Sequence, residues 1–140
     1  MATTIDAKAT ETTLITITGR VPSKKNSLKR LQIGTRLLTV CSDAYLAWER
    51  EHHAQLIGHP ALLPPYEFFF NLYAPDRRRS DLSNKFEGVA DLLVLAGVIQ
   101  DDNWFLLSDI HLHFKGVDRV NPRVELTIVS AVSVRDRGNL

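Results

Sequence analysis

A short amphipathic segment constrains the fold more than any other part of the sequence. Residues 84–96 are rich in helix formers, and Gly97 follows them at the position where a helix commonly ends. At about 100° per residue, one face of this helix is apolar and consists of Phe86, Val89, Ala90 and Leu93. We therefore predict a helix that packs this face against a sheet and exposes the opposite face.

Strand-like segments surround this helix and a second one. The predicted strands are residues 13–18, 32–40, 66–73, 104–114 and 123–129. The other helix is predicted from Ser42 to about Ile57, with Ser42 or Asp43 as its cap. We expect the last two strands to form a hairpin joined through residues 116–122. The order β-β-α-β-α-β-β predicts an α/β fold, a mixed sheet covered by two helices.

Length and composition favour one soluble domain. The chain has 140 residues, and we expect a domain at 12–132 between flexible tails at 1–11 and 133–140. No apolar run approaches the roughly 18 residues of a membrane span, and the polar first eleven residues do not resemble a secretory signal. The single cysteine, Cys41, excludes an internal disulfide and a cysteine-rich zinc site. These features predict no membrane partner and are consistent with a reducing cytoplasm.

Positive charge is concentrated in two segments although the net charge is only +1. No acidic residue occurs between Thr12 and Ser42, whereas this stretch contains Arg20, Lys24, Lys25, Lys29, Arg30 and Arg36. Three consecutive arginines follow at 77–79. Segregated basic segments are typical of a phosphate-binding face, and a solvated surface is the alternative interpretation.

Carboxylates gather around the predicted amphipathic helix. The acidic candidates are Asp81, Glu87, Asp91, Asp101 and Asp102. Asn84, Glu87 and Asp91 fall within roughly 60° on the helical wheel, opposite the apolar face. Clustered carboxylates beside arginines suit Mg²⁺, which supports phosphodiester hydrolysis, whereas His or Cys ligands would favour zinc.

Ordinary structural roles are alternative explanations for some of these residues. Asn84 and Glu87 fit a capping box at the start of the helix, and Asp101-Asp102-Asn103 fits a turn.

Other residues are weaker candidates for a functional role. His111 and His113 share one face of a predicted strand, where solvent exposure is favoured over metal binding. Trp48 and Trp104 are predicted to belong to the core rather than to stack on bases.

Several motifs resemble one family in order and spacing. They are residues 19–27 (GRVPSKKNS), 79–84 (RSDLSN), 91–93 (DLL), 96–99 (AGVI), Asp101-Asp102 and 122–128 (PRVELTI). Together they resemble the RusA-type Holliday junction resolvases over roughly residues 14–130, and the block AGVI-x-DD is the most specific part. The resemblance implies a dimeric, Mg²⁺-dependent endodeoxyribonuclease of bacterial or phage origin that cuts four-way and other branched DNA in recombination and repair, with Mn²⁺ as the alternative ion.

The resemblance also assigns residues. It makes Asp81 and Asp102 counterparts of metal-binding catalytic aspartates, and Asp91 and Asp101 counterparts of accompanying acidic positions. Two positions depart from the family pattern: Ser83 stands where a second aspartate is expected, and Glu87 where a lysine is expected.

We interpret Glu87 as a relocated ligand for the carboxylate missing at Ser83. The expected catalytic residues are therefore Asp81, Glu87, Asp91 and Asp102, and the expected metal ligands are these four with Asp101. The expected DNA-binding residues are Lys24, Lys25, Asn26, Arg78, Arg79, Lys85 and Lys115. Lys85 points away from the Asn84 stripe, which argues against its replacing the missing lysine.

Two other functions stay open at this point. A RusA-like protein that has lost proper metal ligation would bind branched DNA or a partner protein without cutting DNA, and the changes at Ser83 and Glu87 favour that alternative. A different metal-dependent nuclease, acting on flaps or RNA, is the third.

Overall fold

The computed structural model describes residues 9–23 and 28–132 of the chain. The predicted DNA-binding residues Lys24, Lys25 and Asn26 therefore lie outside the described residues, as do the predicted tails apart from residues 9–11.

The described residues form six strands and two helices. These are β1 (Thr10–Thr18), β2 (Leu28–Ile33), β3 (Arg36–Cys41), α1 (Asp43–Leu56), β4 (Leu63–Ala74), α2 (Leu82–Leu95), β5 (Leu107–Val117) and β6 (Arg123–Ala131). The predicted mixed α/β fold of a single compact domain is confirmed. The predicted strand at residues 32–40 is instead the hairpin of β2 and β3, which turns at Gly34 with a φ of 61°. A two-residue turn with positive φ is what such a hairpin requires.

A four-stranded sheet carries the core, with its strands in the order β1-β6-β4-β5. β4 pairs with β5 in parallel and with β6 antiparallel, so the predicted hairpin of the last two strands is wrong. β4 lies between them because its alternate residues Tyr66, Phe68 and Phe70 are large aromatics, each at most 1% exposed, and a central strand buries them best.

The local sequences predict α1 and the end of α2, whereas α2 begins at Leu82, two residues before the predicted start at Asn84. Ser42 caps α1, its hydroxyl accepting a hydrogen bond of 3.2 Å from the Tyr45 amide. Gly97 follows the end of α2 with a φ of 75°. The apolar face of α2 is buried as predicted, with Phe86 edge-on to Phe68 and Phe70. This packing fixes which face of α2 remains for other roles.

The two tryptophans differ in their surroundings. Trp48 on α1 is buried, as predicted. The prediction that Trp104 belongs to the core is wrong, because this side chain is 80% exposed. β5 begins at Leu107, so Trp104 and Phe105 lie in the turn before the strand rather than in it. Within the described part of the chain, no helix is both long enough and apolar enough to cross a membrane.

Candidate functional site

Helix α2 separates two groups of carboxylates. Asp81 is the N-cap of α2, and Asp91 lies ten residues further along the same helix. At 1.5 Å per residue these positions are about 15 Å apart along the helix axis. Mg²⁺ contacts its oxygen ligands at about 2.1 Å, so one ion cannot touch both side chains of the same chain. The predicted ligands therefore divide into an Asp81 group and an Asp91 group.

The second group brings three aspartates together. The pKa of the Asp102 carboxyl is raised above its usual value, first by burial, then by contact with the Asp101 carboxylate and by the negative charge of Asp91. Asp101 accepts hydrogen bonds from the Asp102 amide (2.8 Å) and from Nδ2 of Asn103 (3.0 Å), which lower its own pKa. Neighbouring like charges of this kind are what a bound cation would stabilise.

The turn that carries Asp101 and Asp102 is well ordered by hydrogen bonds. Oδ1 of Asn103 accepts from the Phe105 amide at 3.0 Å, and the Asn103 carbonyl accepts from the Leu107 amide at 2.8 Å. The predicted turn chemistry is thus confirmed. The same turn presents the acidic pair next to two exposed aromatic rings, Trp104 and Phe105.

The first group lies at the start of α2. The buried Asn84 donates a hydrogen bond from Nδ2 to Oδ2 of Asp81 at 3.2 Å. The predicted capping box of Asn84 and Glu87 is wrong, because α2 begins at Leu82 and Asn84 is already its third residue. Glu87 is exposed and more than one turn from the helix start, where a cap is not needed.

The stripe of α2 that contains Asn84 and Asp91 is partly covered by α1. A Cβ placed on Gly88 would lie 3.5 Å from the hydroxyl of Tyr45. Burial raises the pKa of Tyr45, and the Asp91 charge raises it further. The stripe predicted to face the metal is therefore buried at Asn84, partly buried at Asp91 and exposed at Glu87.

A basic groove of about 300 Å³ lies beside Asp81. Its charged lining residues are Arg20, Asp76, Arg78, Arg79 and Lys85. Ser80 and Leu82, which flank Asp81 in the chain, also line it. The groove therefore adjoins the first carboxylate group.

Asp76 organises two of the groove's arginines. Its carboxylate pairs with Arg20 and with Arg78, whose Nη2 lies 3.1 Å from Oδ2, and these interactions hold the pKa of Asp76 well below its usual value. Asp76 is not among the predicted site residues, although an acidic residue directly before three arginines is a visible signal.

Lys85 points into the groove and not toward the acidic stripe, as the helical wheel predicts. Its Nζ donates to the Val21 carbonyl at 2.5 Å, and burial lowers its pKa.

The remaining predicted residues lie elsewhere. Lys115 is exposed near the end of β5. On the same strand, Nε2 of His111 pairs with Glu67 at 2.9 Å and its ring stacks on Phe69 with centroids 4.5 Å apart. Within residues 9–23 and 28–132, no cluster of three or more His, Cys, Asp or Glu side chains has an arrangement that could hold a metal.

Comparison with known proteins does not add a family assignment. The chain matches no protein-family model and no curated protein sequence. The motifs and the geometry of the two carboxylate groups and the groove therefore carry the functional proposal.

Proposed function

We propose that this protein is a Mg²⁺-dependent endodeoxyribonuclease that resolves four-way and other branched DNA as a homodimer in the cytoplasm of a bacterium or of a phage-infected cell. The observation that carries the proposal is the acidic turn at 101–102, where Asp101 accepts a hydrogen bond from the Asp102 amide at 2.8 Å and where burial, together with the negative charges of Asp101 and Asp91, raises the pKa of the Asp102 carboxyl. The motif resemblance, which places an Asp-Asp pair after Ala-Gly-Val-Ile, supports the same conclusion.

The Asp91 group fits the ligand chemistry of Mg²⁺. Its side chains offer only carboxylate oxygens as metal ligands. In nucleic-acid enzymes, Mg²⁺ is commonly held by one or two carboxylates together with water and phosphate oxygens. When bound, the ion would supply activation of water and neutralisation of charge on the scissile phosphate. Asp91, Asp101 and Asp102 are the proposed ligands, although their side chains do not form a three-ligand arrangement in this structure, and Mn²⁺ would bind the same oxygens.

Asp81 and Glu87 complete the proposed catalytic set, with Glu87, one helical turn before Asp91 on α2, as a further ligand of the ion. Asp81 offers carboxylate oxygens beside the groove, and its hydrogen bond from the buried Asn84 fixes its orientation. Arg78, Arg79 and Lys85 would bind phosphates of the DNA strands, and Lys115 would bind them on β5. Such contacts supply salt-dependent affinity and no sequence information.

A protein that binds branched DNA without cutting it is the second candidate. The observation that favours it is the absence of any metal-holding cluster of three ligand side chains in the described residues, together with Ser83 at a position where the resemblance leads us to expect aspartate. Measuring nicking with and without Mg²⁺ separates this candidate from the enzyme. A panel of flap and RNA substrates tests the third alternative, a different nuclease.

The substitution Asp102→Asn tests the enzyme directly. We expect it to reduce Mg²⁺-dependent nicking of a synthetic four-way junction by more than about 100-fold, because it removes one ligand charge. Junction binding measured in EDTA should persist, since the basic groove lies at the other end of α2. Asp109→Asn is the matched control, because Asp109 is exposed on β5 outside both carboxylate groups. Nicking by Asp102→Asn at the wild-type rate would show that the assignment is wrong.

A further inference from the structure

One buried hydroxyl in the groove has no hydrogen-bond partner among the residues that the structure describes. Ser23 is only 8% exposed and lines the groove, and its Oγ has no partner among the described residues. An unpaired buried hydroxyl is costly, and Ser23 is the one such side chain among the described residues that lines the groove. Ser23 therefore indicates a place where an incoming acceptor completes the hydrogen bonding.

The charges around Ser23 define the kind of acceptor. Among the described residues, four cationic side chains and the single acidic side chain Asp76 line the groove, which gives this part of its lining a net charge of +3. Asp76 already pairs with Arg20 and Arg78, whereas Arg79 forms no ion pair with a described acidic residue. Arg79 and Lys85 thus have donors to offer an anion.

The apolar walls strengthen these charges. Leu72, Tyr73 and Phe114 line the same groove, and a low-dielectric wall increases the attraction between a bound anion and nearby cations. The volume of about 300 Å³ is at the lower end of the range for small-molecule sites. A phosphate with part of its nucleoside matches this size and this combination of charge and apolar surface.

We propose that the groove binds a nucleotide phosphate, with the Ser23 hydroxyl donating to a phosphate oxygen while Arg79 and Lys85 neutralise its charge. This inference rests on the proposed function for the source of the phosphate, which is the backbone of a DNA strand that continues toward Asp81. Ser80 and Leu82 connect the two places, because they line the groove on either side of Asp81. A free nucleotide presents the same chemistry, and the experiment distinguishes the two sources.

The test compares binding of thymidine 5′-monophosphate and of a synthetic four-way junction in EDTA, with thymidine as the ligand that lacks phosphate. The variants are Ser23→Ala and Arg79→Gln. Their matched controls are Ser108→Ala and Arg119→Gln, since both residues are exposed and neither lines the groove. Working without Mg²⁺ keeps phosphate binding separate from cleavage.

We expect each groove variant to weaken binding of the monophosphate by about tenfold, the loss of one charge-assisted hydrogen bond. Arg79→Gln should also reduce the salt-dependence slope of junction binding by about 1. Thymidine should not bind, and the controls should match the wild type. Ser23→Ala should leave the melting temperature unchanged or raise it, because it removes an unpartnered buried hydroxyl.

The possible results distinguish the two sources of the phosphate from each other and from failure of the proposal. Weaker binding of both ligands supports the groove with DNA as the source, and weaker binding of the monophosphate alone supports the groove with free nucleotide as the source. Wild-type binding of both ligands by Ser23→Ala and Arg79→Gln overturns the proposal, as does a lower melting temperature of Ser23→Ala, since it would reveal a structural partner. Failure of the proposed nuclease has a different signature: the wild type does not cut with Mg²⁺ although the binding losses remain.

Discussion

Tyr45 and Tyr66 offer a matched test of the packing beneath the candidate site. Both side chains are 1% exposed. The Tyr66 hydroxyl donates to the Leu62 carbonyl at 2.8 Å and accepts from the Gln100 amide at 3.1 Å. The Tyr45 hydroxyl is buried without a partner in the described residues, against Gly88 of α2. Replacing each with phenylalanine should therefore change stability in opposite directions.

The magnitudes follow from the cost of an unpaired buried hydroxyl, about 1–3 kcal/mol. Tyr45→Phe keeps the ring and its contact with Trp48, whose centroid is 5.8 Å away, so we expect it to raise the free energy of unfolding by about 1–2 kcal/mol. For a domain of this size that is an increase of roughly 3–6 °C in melting temperature. Tyr66→Phe leaves the Leu62 carbonyl without this donor and should cost about 1–2 kcal/mol.

The assay is urea unfolding of the wild type and both variants, with the same m-value required for each comparison. A loss of stability in Tyr45→Phe would refute the reasoning, because it would mean that the hydroxyl is hydrogen-bonded and that the α1–α2 contact differs from the one described. Equal shifts in the two variants would refute it as well.

Two further predictions concern Glu87, which stands where the resemblance leads us to expect lysine, and the oligomeric state of the protein. Because Glu87 is exposed and outside any cap, Glu87→Gln should change the free energy of unfolding by less than about 0.5 kcal/mol, yet as a relocated ligand it should raise the Mg²⁺ concentration needed for cleavage. Normal cleavage by Glu87→Gln at every Mg²⁺ concentration would contradict this role, because no carboxylate would then replace the one missing at Ser83. A four-way junction needs two matched cuts, so light scattering should give close to twice the chain mass of 15.8 kDa, and a monomer that makes paired cuts would contradict the dimer.

Local signals in the sequence predict the helices well but not the strand pairing. The apolar face of α2 and Gly97 locate that helix, and Ser42 marks the start of α1, because caps and amphipathic periods depend on neighbouring residues. The placement of β4 between β5 and β6 depends on contacts between distant segments, which no local pattern encodes. Gly34 did carry a signal, since a glycine inside a predicted strand often marks a turn or bulge.

The candidate site was predictable by residue type and less so by position. The acidic residues near α2 are visible in the sequence, and the turn at 101–103 has the chemistry expected of it. Their division into two groups follows from the helix itself, because Asp81 is its N-cap and Asp91 lies ten residues further along it. Exposure of Trp104 and the unpartnered hydroxyl of Ser23 are tertiary properties, so the sequence pattern alone does not reveal them.

The most direct measurement of the proposed function is cleavage of an end-labelled four-way junction by the wild-type protein across a Mg²⁺ titration, beside a linear duplex of the same sequence. The proposed function predicts nicks in the junction that appear only with Mg²⁺ or Mn²⁺, occur in symmetry-related strands and are absent from the duplex. Binding of the junction with no nick at any concentration of either ion would contradict it and would establish the non-cleaving alternative instead.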